Sequence, residues 1–134
     1  MPRTPLTTLT TTRGAGLSVV TETFDDTNGN NFTNTQSEIL HIQNTNAAAR
    51  VVHIITPITS DSLATKDLVI TIPALTGNKM IGPFPNSIYG TSGIIELDCY
   101  DENGVTFAND TDAVSSGTMD GSGVTISVIK MGSL

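Results

Sequence analysis

The chain has no tryptophan, one cysteine, two histidines and only six Lys and Arg among its 134 residues. Each scarcity closes a route. With Cys99 alone, an internal disulfide and a multi-cysteine metal site are both excluded. Nucleophilic catalysis needs a base beside a Ser or Cys, and the two histidines, His41 and His53, fall inside strand-like apolar runs. A half-buried or sheet-surface histidine is the plain expectation there. Cys99 shares a face with Leu97 and reads as an inert thiol. The sequence contains no HExxH, GxSxG, P-loop or GxGxxG pattern. We therefore expect no enzyme, no catalytic residue and no cofactor. Aromatics make up only 4% of the chain, which leaves few platforms for stacking a sugar ring. The basic residues are outnumbered by thirteen acids, for a net charge of −7 and a pI near 4.4. That balance argues against nucleic acid, whose phosphates need clustered Lys and Arg, and against an anionic membrane surface. No apolar run reaches the roughly 18–20 residues of a spanning helix. The N-terminal MPRTPLTTLTTTRG has no apolar core of the signal-peptide kind, so the expectation is a chain made in the cytoplasm.

What the chain does have is β-branched residues and turn formers. Its length fits one domain. Thr, Val and Ile are stiff at χ1 and suit a pleated surface, while twelve glycines and six prolines supply turns. Residues 1–16 are Thr- and Pro-rich, with two arginines and no acid, and form an extended arm that is expected to be loose until it lies on something. Residues 17–134 form a single β-domain. Strands are expected at Leu17–Phe24, Glu38–Asn44, Arg50–Pro57, Asp67–Pro73, Ile94–Tyr100 and Val124–Lys130. Leu40 and Ile42 share one face of the second, and Arg50–Pro57 is apolar on both faces, as a covered central strand should be. Asn44–Ala49 is short enough for a hairpin between them. Ile95, Leu97 and Cys99 point inward from one strand, and Val124, Ile126 and Val128 from the last. Short strands separated by Gly, Pro and Asn turns predict an all-β fold, a compact antiparallel β-sandwich or jelly roll. Asp101–Gly123 is acidic and rich in Gly and Ser, and is expected to project outward as a loop or small β-excursion near Val105–Phe107.

Two acidic stretches bear on metal binding. Asp26-Thr-Asn28-Gly-Asn30 spaces its oxygens like a calcium loop, but Asn31 and Ser37 stand where an EF-hand needs Gly and Glu. Asp110, Asp112 and Asp120 could gather a hard cation, yet flexible acidic loops are usually just solvated. No metal site is assigned.

The run KMIGPFPNSIYG, Lys79 to Gly90, breaks the strand rhythm. Pro83 and Pro85 remove two backbone donors and fix φ on either side of Phe84, so the segment belongs at an edge or corner. Phe84 should then fill one fixed pocket, with Tyr89 nearby, either in the chain's own core or across a subunit contact.

Five pieces in order carry a resemblance: the Thr-rich arm ending in TRGAG, DDTNGNNFTNT, EILHIQNTNAAARVVHIITP, DLVITIPALTGNKMIGPFPNSIYG and GVTISVIKM. Together they resemble the head decoration (cement) proteins of tailed bacteriophages. The 101–123 stretch is longer than the connection such proteins have there. The resemblance implies a β-tulip-like sandwich that binds the outer capsid surface as a homotrimer at three-fold and quasi-three-fold positions. There it would bridge major capsid proteins and stabilise the shell. The location implied is the virion, with synthesis in the host cytoplasm. Leu6, Leu9 and Arg13, the arm's large side chains, become the expected anchors on capsid or neighbour. Pro83, Phe84, Pro85 and Tyr89 become a corner or trimer contact. The rivals are another β-rich virion part, such as a head-fibre base or tail protein, and a calcium- or carbohydrate-binding sandwich.

Overall fold

The computed structural model describes residues 2–57, 59, 60 and 63–132, and those residues contain strands and turns but no helix. In chain order the strands are β1 (Thr4–Pro5), β2 (Thr8–Thr10), β3 (Glu22–Thr23), β4 (Asn30–Thr33), β5 (Glu38–Asn44), β6 (Arg50–Ile54), β7 (Thr59–Ser60), β8 (Leu63–Ala64), β9 (Leu68–Ile72), β10 (Gly77–Ile81), β11 (Ile94–Phe107), β12 (Val114–Met119) and β13 (Val124–Lys130). The first sheet runs β1-β4-β11-β6-β9, with β12 also on β11, and the second runs β10-β5-β13-β2, with β3 also on β13. A small β7–β8 hairpin stands apart. Most neighbours are antiparallel, but β1 joins β4 and β2 joins β13 in parallel.

Alternation explains the packing. Side chains of a strand point to opposite faces in turn, and β5 is buried at every second residue, with Leu40 and Ile42 fully inside. Ile95, Leu97 and Cys99 of β11 meet them from the first sheet, and Val124, Ile126 and Val128 of β13 complete the layer. All five residues of β6 are buried. The two faces of β6 do different work: Val52 and Ile54 enter the central core, while Val51 and His53 face a second, smaller apolar layer on the outside of the first sheet.

The β-excursion expected near Val105–Phe107 is present, and that outer layer corrects only its direction. Strand β11 continues to Phe107 and returns as β12, with a register break between Tyr100 and Val105. The hairpin lies back over its own sheet rather than projecting. Phe107 packs 5.7 Å from His53 and 6.4 Å from Tyr100, centroid to centroid. At its tip, Asp67 N–H donates to the Thr111 carbonyl at 2.7 Å and Lys66 pairs with Asp112 at 3.2 Å.

Two further expectations change. Asn44–Ala49 is a crossover between sheets, not a hairpin: β5 pairs with β10 and β13, and β6 with β11 and β9. The buried Asn44 amide anchors the crossover by donating to the carbonyls of Ala48, Ile72 and Pro73. Of Leu17–Phe24 only Glu22–Thr23 is strand. The place beside the end of β13 is already taken by β2, so residues 17–21 are displaced outward, where the Val20 carbonyl accepts from the Ser127 hydroxyl at 3.0 Å.

The proline-bracketed run falls where its chemistry demands. Its first residues end edge strand β10, the Gly82–Pro83 bond is cis, and Phe84 enters the core, 2% exposed. Phe32 lies 6.0 Å from the Phe84 ring, and Tyr89 meets it edge-on at 5.5 Å. The buried Asn34 amide secures the corner, donating to the Phe84 carbonyl at 2.8 Å and to Asn86 Oδ1 at 2.7 Å. Truncating a buried Phe loses transfer energy and leaves a cavity, so Phe84→Ala should lower unfolding free energy by about 3–5 kcal/mol in denaturant titration. Pro85, exposed beside it, should tolerate alanine with a far smaller loss.

Candidate functional site

The N-terminal segment is the element on which a binding role was expected to rest, and it is held against its own domain. Strand β1 extends the first sheet beyond β4 and β2 extends the second beyond β13, so one short segment edges both sheets. Between them Leu6 turns inward and is buried against the core, 7% exposed. Burying a leucine contributes about 1.5–3 kcal/mol, which offsets part of the entropy lost in ordering the segment. Arg3 clasps the start: its guanidinium pairs with Asp98, with Glu96 at 3.1 Å and with the Leu97 carbonyl at 3.1 Å. Gly29 is required beneath this clasp. It has φ +74°, and a Cβ there would strike Arg3 and Asp98. Asp25 adds an Asx-turn, accepting from the N–H groups of Thr27 at 2.9 Å and Asn28 at 3.0 Å, and also accepts the Thr4 hydroxyl.

Of the three expected anchors, Leu6 is thus committed to the chain's own core. Leu9 and Arg13 are differently placed. Register puts Leu9, Ile129 and Ile39 side by side across β2, β13 and β5, on the outer face of the second sheet. The next row along is Ser127, His41 and Met80, and the one after is Thr125, Gln43 and Asn78. None of these nine positions carries a carboxylate, a lysine or an arginine. Met80 is 66% exposed and Val20, in the displaced segment near Ser127, is 60% exposed. Of the nearby cations, Arg13 lies in the Thr12–Gly16 turn after β2, whereas Lys79 on β10 and Lys130 on β13 fall on the alternate side, registered with Ile42 and Glu38, and Lys130 lies 4.0 Å from Glu38.

The opposite side is acidic. No Lys or Arg occurs between Lys79 and Lys130, while seven of the thirteen acids do: Glu96, Asp98, Asp101, Glu102, Asp110, Asp112 and Asp120. Arg50, on neighbouring β6, is buried under the hairpin base and pairs with Asp101 at 2.7 Å and Asp120 at 3.5 Å. Hydrogen bonds from Ser122, with help from Arg50, hold the Asp120 carboxyl below its usual range. An open concavity of about 650 Å³ lies here, lined by Asp26, Asp101, Asn103 and Asp120 among others.

The residues considered for chemistry are tied into the fold. Desolvation pushes the Cys99 thiol up to about 12. Cys99 sits opposite Val52 on the core face, whereas His53 points to the outer layer, so the two do not meet. His53 Nε2 is 2.8 Å from Asp67 Oδ2, and Asp67 Oδ1 accepts Thr56 N–H at 2.6 Å. This buried pair bridges adjacent strands and has no short-range signal in the sequence. In the calcium-like run, Asp26 accepts Gly121 N–H, and Asn30 bonds the Asp25 N–H and the Thr4 carbonyl. Among the described residues no three His, Cys, Asp or Glu side chains gather to hold a metal ion. Compared with known families, curated proteins and solved structures, the chain matches no family model, no curated protein and no solved structure.

The Asx-turn links arm docking to pH. The Thr4 hydroxyl, then the Asn28 and Thr27 N–H groups, lower the Asp25 carboxyl from 3.8 to about 2. A depressed carboxylate contributes stability above its ordinary value, and that contribution is lost as pH falls towards the depressed one. Between about pH 4 and 2 the amides of Thr27, Asn28 and Thr4 should lose exchange protection, and Asp25→Asn should show the weaker protection already at neutral pH. Unchanged protection across that range would show that the carboxylate does not hold the turn.

Proposed function

We propose that this chain is a structural protein of a tailed-bacteriophage virion. On this reading it docks on the outer capsid surface, as homotrimers at three-fold and quasi-three-fold positions, and stabilises the shell by bridging major capsid proteins. One observation carries the proposal beyond the ordered resemblance of five segments. Nine adjoining positions on the outer face of the second sheet carry no Lys, Arg, Asp or Glu, and one row of them, Leu9–Ile129–Ile39, is apolar, while seven of the thirteen acids lie in the stretch between Lys79 and Lys130 that forms β11 and β12.

That asymmetry suits a module with an inside and an outside. The Leu9–Ile129–Ile39 row, with Met80 and Val20 beside it, supplies apolar area to bury, with no charge among its rows that would have to be desolvated. The acid-rich side is then left in water, where like charges on neighbouring particles repel. Each contact can be weak, because copies repeated around a symmetric shell act together through multivalency. In the arm, Leu9 and Arg13 are available to a partner, and Leu6 is the peg that keeps the segment in register with the domain. The corner formed by Pro83, Phe84, Pro85 and Tyr89 contributes rigidity: Phe84 supports it from inside, and the exposed prolines and Ile88 present a fixed outline to a neighbouring copy.

The test uses expanded heads that lack this protein. Added chain should bind them and raise their resistance to heat or chelator. Leu9→Glu combined with Met80→Glu should keep the folded circular dichroism spectrum but weaken binding at least about tenfold, equivalent to 1.4 kcal/mol. A folded wild-type chain that fails to bind such heads, or labels only the tail, would end the proposal.

A further inference from the structure

The chain contains two Asn–Gly pairs, Asn28–Gly29 and Asn103–Gly104, and the fold treats them in opposite ways. An asparagine before glycine is open to attack by the following backbone nitrogen, because glycine has no side chain to block the approach. At Asn28 that approach is shut. Its side-chain nitrogen donates to Asp25 Oδ2 at 3.3 Å, its Oδ1 is buried, and the Gly29 N–H donates to the Asp25 carbonyl at 3.0 Å. Gly29 is itself buried beneath Arg3.

Asn103 stands in different surroundings. It and Gly104 are exposed, and among the described residues the Asn103 backbone N–H donates to Asp101 Oδ1 at 2.8 Å while its side chain makes no hydrogen bond. Gly104 lies in the register break between Tyr100 and Val105, where β12 provides no paired partner. We infer that Asn103 is a site of spontaneous deamidation, and that the same reaction is suppressed at Asn28 by the fold. The inference stands independently of the capsid reading.

The reaction needs only water. The Gly104 nitrogen bonds to Cγ of Asn103, the Cγ–Nδ2 bond breaks, and the proton from the Gly104 nitrogen leaves with the amide as ammonia. The succinimide takes up one water and opens at either carbonyl, giving an aspartyl or isoaspartyl residue at position 103. Either product adds a carboxylate to the concavity already lined by Asp26, Asp101 and Asp120. Arg50, the cation beneath it, is already engaged by Asp101 and Asp120, so the new charge goes unneutralised. The isoaspartyl product also lengthens the backbone at the base of the hairpin.

The experiment holds the purified full chain at mildly alkaline pH and physiological temperature, native in one arm and fully denatured in the other. Isoelectric focusing and peptide mapping follow each site. In the native arm an acidic species should accumulate, with conversion at Asn103 and none at Asn28; in the denatured arm both should convert. Gly104→Ala should make the acidic species form many-fold more slowly. That variant should fold, because the added Cβ would meet nothing closer than 3.4 Å, at Asp101 Cβ. Native protection of Asn103, or conversion of Asn28 ahead of it, would overturn the inference.

Discussion

A sandwich of two sheets has four edges, and every edge strand leaves a row of N–H and C=O groups that must find partners or water. The rest of this structure follows from how those edges are managed. On one flank the N-terminal segment serves both sheets in a single pass, β1 on β4 and β2 on β13. On the other, β9 and β10 are the outer strands. There Lys79 faces the same side as Ile42, its cross-strand partner, which places a charge on the inward side of an edge. Such a placement is one of the ways proteins discourage edge-to-edge pairing.

The polar residues buried in the body do connecting work. Asn44 ties the crossover to Ala48, Ile72 and Pro73, Asn34 ties the proline corner to β4, and Glu38 receives Thr35 and Ser37 at the start of β5. Burial alone would raise the Glu38 carboxyl, but these hydrogen bonds outweigh it and keep the group below its ordinary value. Each of these side chains satisfies backbone groups where regular pairing stops, at the loops that join one sheet to the other. An apolar replacement would fill the space and leave those groups unpaired in a low dielectric, which costs more than the bond itself contributes.

How much of this could be read in the sequence depends on the range of the determining interaction. Strands β5 and β13 have the bounds expected from alternation, and β6 is covered on both faces as its unbroken apolar run requires. Phe84 is fixed by its two flanking prolines, a local constraint, and its pocket follows. The errors all involve partners outside the segment itself. Leu17–Thr21 has strand composition, but its place beside β13 is occupied by residues about ten positions earlier. Asn44–Ala49 has hairpin length, yet the hydrogen bonds that steer it come from Ile72 and Pro73. The hairpin of residues 101–119 folds inward because Phe107 finds His53, and nothing local to either residue marks the pairing. At the candidate interaction face, Leu9 stood out as a large side chain amid threonines. Its neighbours Ile39, Met80 and Ile129 become visible only once register sets them in rows.

Strands β2 and β13 are nearly the first and last of the fold, lie side by side, and run in the same direction. Beyond the three registered pairs, Thr11 N–H donates to the Lys130 carbonyl and Gly132 N–H donates to the Thr11 hydroxyl. Tension drawing the two ends of the chain apart would pull these strands in opposite directions along their common axis. The load then falls on all the bonds between them at once, as in a lap joint, and they cannot be peeled open one at a time. Ordinary weak hydrogen bonds arranged in this way make a stiff mechanical clamp between the termini.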